Sequence, residues 1–327
     1  MNPDNSLDDA LRLCGFSVPA APPGPAAGPV TAPNPDPSPE VAPAQPGFIE
    51  PTWFRLLKFA VTGTRAGAIL YGPPSTGKTT AVHELARRMG VVPVTFCCAE
   101  GNTLDDLVGT PALKAGDSVE RDGPLPEALR ADTWLVLEEA NKLHPGCLGK
   151  VHTLTDGSGD SLRLADGSRL KAGPGFRLML LWNPGCQGTR PVNEALMSRL
   201  VPIWTTHFTQ SQESDMIAAR TGCGAELAER LAGLAVRLRA AKVGTAGFDL
   251  PLRALFRMAE MARDIPGLAW SEGFRYCVLD LVGDPITKKP QRDVLEAAAM
   301  LENLDQWPAW GPSCASASTE GVADDDE

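Results

Sequence analysis

Long apolar runs are missing from this sequence. None approaches the roughly 20 residues that a membrane-spanning helix needs, so a helical bilayer anchor is not expected. The first residues, Met1-Asn2-Pro3-Asp4, do not lead from a basic stretch into an apolar one, as a secretory leader would. There is no C-x-x-C pair among the eight cysteines, and the four histidines complete no metal-ligand spacing. The cysteines therefore read as reduced thiols of a cytoplasmic protein. Basic excess is absent too. Lys and Arg number 30 against 40 Asp and Glu, and the net charge is −10. Five of those acids, Glu320, Asp324, Asp325, Asp326 and Glu327, fall in the last eight residues, which leaves −5 for everything before them. Aromatics are only 6%, with two tyrosines. A chain with this balance lacks the broad basic surface and the aromatic-basic stripe that nucleic-acid binding favours. A local basic pore remains compatible with it.

What is present is enough for an ordinary core. Hydrophobic residues make up 43% of 327, a length with room for about two domains. Twelve of the 30 prolines lie in the first 50 residues. Pro19 to Gly47 is almost all Pro, Ala, Gly and small polar residues, so residues 1–47 are expected to form a disordered arm. Ordered structure is expected from Phe48. Phe54, Leu56, Leu57 and Phe59 suggest a helix over the first strand. Ala68–Tyr71, Val91–Cys97, Leu135–Leu137, Arg177–Trp182 and Val201–Trp204 read as five buried strands alternating with helical segments. That pattern predicts a parallel sheet covered on both faces, over 48–206. From about His207 the pattern turns all-helical. Leu227, Leu231, Leu234 and Leu238 form an apolar stripe, and Asp249-Leu250-Pro251 starts another helix. Two more are expected, near Trp270–Leu281 and Lys289–Leu304. This gives an α-helical unit over 207–306 and an acidic disordered tail over 307–327.

The chemistry concentrates after the first strand. Gly72, Pro73, Pro74, Ser75, Thr76, Gly77, Lys78, Thr79 and Thr80 spell G-x-x-x-x-G-K-T-T between an apolar strand and an amphipathic helix whose inner face is Ala81, Val82, Leu85, Ala86 and Met89. Strand, glycine loop and helix start form a cradle of N–H groups for phosphate oxygens. Lys78 is expected to reach the β- and γ-phosphates of ATP, and Thr79 to hold Mg²⁺. Glu138 and Glu139 end a buried strand, where open α/β sheets bind ligands. The first carboxylate suits the Mg²⁺ shell and the second suits orientation or deprotonation of an attacking water.

With these motifs the chain resembles the AAA+ ATPases, in the branch of the MoxR proteins, the dynein-related midasin type and the ATPase subunits of cobalt and magnesium chelatases. Further matching segments are Gly123-Pro124-Leu125 to Leu129, Ala140-Asn141, Asn183-Pro184, Ala195-Leu196 to Arg199, and Leu250-Pro251-Leu252-Arg253. The resemblance implies a P-loop NTPase fold with a helical lid. It implies that Asn183 contacts the γ-phosphate or the water, that Arg199 acts as an arginine finger in a neighbouring subunit, and that Arg253, or Arg257 one turn on, senses nucleotide from the lid. It also implies a homo-oligomeric ring, usually of six, acting on a protein partner. Relatives often work with a protein carrying a von Willebrand A domain. The chain departs from the family in having Glu138 where Asp is usual, which bears on turnover more than on binding.

Two inserts are the expected working parts. Gly101 to Arg121 contains Thr103-Leu104-Asp105-Asp106-Leu107-Val108-Gly109 and then a loop, and the resemblance implies an insert that interrupts the second helix and faces the ring axis. Ser158 to Pro174 reads as a β-hairpin turning at Ala165-Asp166-Gly167, with Arg163, Arg169 and Lys171 as a basic lining. The favoured reading is ATP-driven remodelling of a protein or assistance in metal or cofactor insertion. A phage-type nucleic-acid motor or loader and a slow ATP-dependent switch are the alternatives.

Overall fold

The computed structural model describes residues 48–64, 67–114, 117–151, 154–155, 161–164, 167–184, 194–240, 242–243, 246–247, 250–265, 267–282, 292–293, 295–297, 300 and 303–307. The expected arm over 1–47, the tail beyond Trp307 and much of the expected helix at 289–304 lie outside the described residues. No helix among the described residues is long and apolar enough to cross a membrane.

The centre is a five-stranded parallel sheet built from β1 (Gly67–Tyr71), β2 (Val94–Cys97), β5 (Trp134–Glu138), β8 (Arg177–Trp182) and β9 (Val201–Trp204), in the order β2-β5-β8-β1-β9. The central strands are apolar nearly throughout because both of their faces are buried. Register decides where the site falls. Tyr71 pairs with Trp182 and Trp204, Glu138 pairs with Leu181, and Cys97 pairs with Glu138. The carboxyl ends of β1, β5 and β8 therefore lie level, and the residues that follow them share one edge.

Helices α1 (Phe54–Gly63) and α2 (Lys78–Arg88) cover one face around Leu57, Leu70, Leu85 and Met179. On the other face lie α3 (Leu104–Val108), α4 (Pro124–Arg130) and α5 (Pro145–Val151), with core residues Leu107, Leu125, Leu148 and Leu180. The apolar residues of α1 do not all face inward as expected. Phe54, Leu57, Ala60 and Val61 are buried, but Leu56 is 46% and Phe59 58% exposed. One helix stripe cannot hold residues at 54, 57 and 61 together with 56 and 59.

The insert after α3 is also different from the expected loop. Gly109–Lys114 (β3) and Asp117–Asp122 (β4) pair antiparallel. The second expected hairpin is present as β6 (Ser161–Arg163) and β7 (Arg169–Lys171). Its leucines point inward, and Arg163, Arg169 and Lys171 are exposed.

After α6 (Glu194–Arg199) and β9 come α7 (Gln210–Thr221), α8 (Ala225–Ala240), α9 (Leu252–Asp264) and α10 (Trp270–Cys277). They have their own core, in which Leu227, Leu231, Leu234 and Leu238 are all buried as their spacing predicts. Arg239 on α8 meets fully buried Glu213 on α7 at 2.7 Å. The all-helical expectation needs one amendment, a short antiparallel pair at Lys242–Val243 (β10) and Ala246–Gly247 (β11). The helix expected at Trp270–Leu281 ends at Cys277 and gives way to a tighter turn over Leu279–Val282.

Candidate nucleotide site

The loop after β1 has the backbone that its glycines predict. Gly72 sits at φ 153°, and a Cβ there would come within 2.3 Å of the Thr205 carbonyl oxygen. Gly77 sits at φ 80°, where a Cβ would lie 3.1 Å from the Phe208 ring. Ser75 also has positive φ, at 59°, a conformation that costs a non-glycine residue free energy and collects at ligand-binding turns. Thr76 is buried, and its hydroxyl lies 2.9 Å from that of Thr205, which ties the loop to the chain leaving β9. Helix α2 starts at Lys78 with no side-chain cap, so its first N–H groups are left for a ligand at the loop. Thr79 is exposed on the same turn.

Lys78 does not extend outward as a phosphate-reaching side chain. Its Nζ donates to the Gly72 oxygen at 3.0 Å and to the Pro73 oxygen at 2.6 Å, with Thr76 Oγ1 at 3.4 Å. The loop's own carbonyls satisfy the ammonium, so a bound phosphate would exchange with them.

At the end of β5, half-buried Glu138 is followed by Glu139 at φ 52° and a tight turn over Ala140–Lys142. This left-handed residue throws the chain back across the adjacent end of β8. There Asn183 Nδ2 donates to Glu139 Oε1 at 2.9 Å, and Asn141 Nδ2 donates to the Asn183 carbonyl at 3.1 Å. Lys142 Nζ lies 3.6 Å from Glu139 Oε2. His83 of α2 is held below the usual histidine range, chiefly by burial, with Glu138 opposing. The Cys98 thiol, beside the same strand ends, is pushed up to about 12 by burial and then by Cys97, Glu139 and Glu138. A thiol in that state is no nucleophile.

A cleft of about 560 Å³ opens between the phosphate loop and the helical unit. Ser75, Gly77 and Thr80 line one side, and Met216, Arg220, Leu252, Arg253 and Phe256 the other. Phe48, Ile49 and Phe208 close its end. Of the expected site residues, the loop and Arg253 come together here. Glu138, Glu139 and Asn183 gather at the strand ends next to the loop. Arg257 is exposed and does not line the cleft. Arg199, half-buried on the last turn of α6, does not line it either.

Sequence reasoning missed Phe48, Ile49, Phe208 and Arg220. The Arg220 guanidinium stacks 4.6 Å over the Phe256 ring, and its Nε lies 3.5 Å from Glu260. No local signal marks these four, which come from three distant segments. Phe208 was the most findable, four residues beyond the last strand.

A complete phosphate loop, paired acids at the neighbouring strand end and a polar residue on the next strand define a P-loop nucleotide hydrolase with a helical lid. Residues 67–200 match the AAA domain of the dynein-related subfamily. Residues 67–200 thus carry an AAA+ ATPase domain of the dynein-related, MoxR-like type, and the chain is similar to relatives of that branch. It is 29% identical to Protein NorQ of Paracoccus denitrificans, over 70% of this chain and 85% of that protein. It is 26% identical to the denitrification regulatory protein NirQ of Pseudomonas aeruginosa, over 70% of this chain and 88% of that one. Protein CbbQ of Hydrogenophilus thermoluteolus is 28% identical over 55% of this chain and 68% of its own length.

Proposed function

We propose that this protein is a Mg²⁺-dependent ATPase that works as a ring, none of whose sites is complete without a neighbour, and that it remodels a protein partner in the cytoplasm. The observation that carries the reading is the hydrogen bond from Asn183 to Glu139, which puts a carboxylate and a polar amide at the strand ends beside the phosphate loop. In this reading residues 48–206 are the ATPase domain and 207–306 the lid. Gly72 to Thr80 wrap the phosphates, with Lys78 leaving its loop carbonyls for the β- and γ-phosphates. The residues fit a hydrated Mg²⁺: exposed Thr79 opens α2, half-buried Glu138 ends the neighbouring strand, and both are oxygen donors. The ion would neutralise charge on the triphosphate. Glu139 takes a proton from water as the water oxygen bonds to the γ-phosphorus and the bond to the bridging oxygen breaks. For that, Asn183 must release Glu139 and turn to the γ-phosphate. Arg253 closes from the lid.

Arg199 is assigned to the neighbour's site, because it stands outside its own cleft. A head-to-tail contact closes into a ring when its rotation allows, and the resemblance to the AAA+ ATPases implies six subunits. The name "denitrification regulatory protein" borne by NirQ is that of a regulator, and a partner with a von Willebrand A domain fits the MoxR-like branch. The hairpin face of Arg163, Arg169 and Lys171 would meet the partner. The slow-switch reading draws on Glu138, whose extra methylene loosens the Mg²⁺ shell relative to Asp. The nucleic-acid motor reading draws on the same hairpin cations, against a net charge of −10.

The test is ATPase activity against protein concentration, with sizing in ATP and without nucleotide. Specific activity that rises with concentration, together with an ATP-dependent large particle, supports shared sites. Mixing Arg199→Ala with Glu139→Gln subunits should restore part of the activity each lacks alone. Concentration-independent turnover by a monomer would remove Arg199 from catalysis, and stimulation by DNA rather than protein would favour the motor.

A further inference from the structure

Asn141 lies two residues after Glu139 in the turn that leaves β5. It is only 6% exposed. Its Nδ2 donates at 3.1 Å to the backbone oxygen of Asn183, whose own Nδ2 donates at 2.9 Å to Glu139 Oε1. The link runs from Asn141 on one strand end to Asn183 on the next, and from there back to Glu139.

The position of that carbonyl explains why it needs a partner. Trp182 is the last β8 residue paired with β1, so Asn183 is already beyond the ladder. Pro184 follows, which restricts Asn183 to extended conformations and offers no N–H for a turn. The Asn141 amide stands in for the missing ladder bond. A second feature points to a ligand. The Oδ1 atoms of Asn141 and Asn183 are both buried and accept no hydrogen bond among the described residues. Buried acceptors in native proteins are paired. Two such acceptors leave capacity for O–H donors from a bound water.

We propose that Asn141 is a positioning residue for hydrolysis. It pins the main chain of Asn183 so that the Asn183 amide can move between Glu139 and the phosphate without the end of β8 shifting. The proposal rests on the reading of Glu139 as the base and Asn183 as its partner. It adds a residue whose side chain does not itself touch Glu139.

The experiment measures kcat, KM for ATP, nucleotide affinity and melting temperature for Asn141→Ala, Asn141→Leu, Asn141→Asp, Asn183→Ala and the Asn141→Ala/Asn183→Ala double variant. Asp matches Asn in volume and Leu matches it in branching, and neither donates a hydrogen bond here. The three Asn141 variants should each lose about tenfold in kcat, less than the roughly hundredfold of a donor that touches the reacting oxygen. KM should stay within about twofold, since ground-state binding is untouched. The double variant should turn over no more slowly than Asn183→Ala, because both act through one link. Should Ala and Leu prevent folding, Asn141→Asp decides alone. Wild-type kcat in Asn141→Leu or Asn141→Asp beside a slow Asn183→Ala would reduce Asn141 to packing, and so would additive losses in the double variant. Wild-type turnover in Asn183→Ala would instead overturn the underlying assignment of Asn183.

Discussion

The nucleotide site has a sheet wall, made of the phosphate loop and the strand ends beside it, and a lid wall across the cleft, and the two are held in place by different forces. On the sheet side, position comes from register and short hydrogen bonds. Tyr71, Glu138 and Leu181 are fixed by parallel pairing, and Asn183, Glu139, Asn141 and Thr76 are tied down over distances near 3 Å. On the lid side, the lining is apolar side chains with Arg220 and Arg253, and the partners of Arg220 among the described residues, Phe256 and Glu260, belong to the lid itself. The lid's buried cluster is separate from the two beneath the sheet. A wall fixed by backbone register suits chemistry that needs sub-ångström placement. A wall of side chains on an independent core suits contact that tightens when ligand arrives.

The sharpest way to break this division is at Glu139. Replacement by Gln keeps the shape and the bond from Asn183 but removes the base. We expect kcat to fall about a thousandfold, the middle of the range for a general base, while ATP binding and assembly persist. Single-turnover hydrolysis read beside fluorescent-nucleotide binding would check both halves. Activity near wild type would place the base elsewhere and leave the sheet wall without its chemical role.

How much of each wall was legible in the sequence follows from the same contrast. The sheet wall is local. Gly72 and Gly77 are needed by a backbone with positive φ, and Glu138-Glu139 and Asn183-Pro184 sit directly at the ends of apolar strands, so linear order reveals them. The lid wall is tertiary. Phe48, Phe208 and Arg220 meet only after three segments pack, and no spacing encodes that. Elsewhere the misreadings have equally plain causes. The β3–β4 hairpin hid behind Pro111 and the charged run Asp117–Asp122, both poor strand signals. The exposed face of α1 hid behind the apolar character of Leu56 and Phe59, which says nothing of direction.

The lid's independence can be tested through its buried ion pair. Glu213 is fully buried and bonds Arg239 Nη1 at 2.7 Å, while Arg239 Nε donates to the Leu250 carbonyl at the start of α9. Glu213→Ala leaves a buried guanidinium without its counter-charge, at a cost of about 3 kcal/mol. Denaturant unfolding should then show a separate early transition from the lid, with the sheet melting as in wild type. A single shifted transition would show that the two cores unfold as one.

A smaller effect is expected from the cleft arginines. Arg253→Ala and Arg220→Ala should raise KM for ATP by about threefold to tenfold, the scale of one exposed ionic contact near 1 kcal/mol, with kcat changed less than about threefold. Loss of kcat with KM unchanged would transfer these residues from the binding wall to the chemical one. For Arg220 the Glu260→Gln variant adds a check in the opposite direction, because freeing the guanidinium should lower KM.

The smallest effect belongs to Glu84, in the second half of α2. It accepts hydrogen bonds from Arg87 and then Arg88, which together hold its carboxyl at about 2 against an ordinary 4.5, burial opposing. A depressed folded-state value means that the charged form stabilises the fold above pH 4.5, and that this stability is lost as pH falls toward 2. Both arginines are about a third exposed, at 34% and 30%, so Glu84→Gln should cost under about 1 kcal/mol at pH 7. The difference from wild type should shrink between pH 4.5 and 2, as melting curves across that range would record. Glu84 lies six residues beyond Lys78, nearly two turns from the uncapped N–H groups of α2, so KM for ATP should not move. A shifted KM would mean that the phosphate end of α2 is set by its ion pairs as well as by the register of β1, and the contrast between the two walls would lose its basis there.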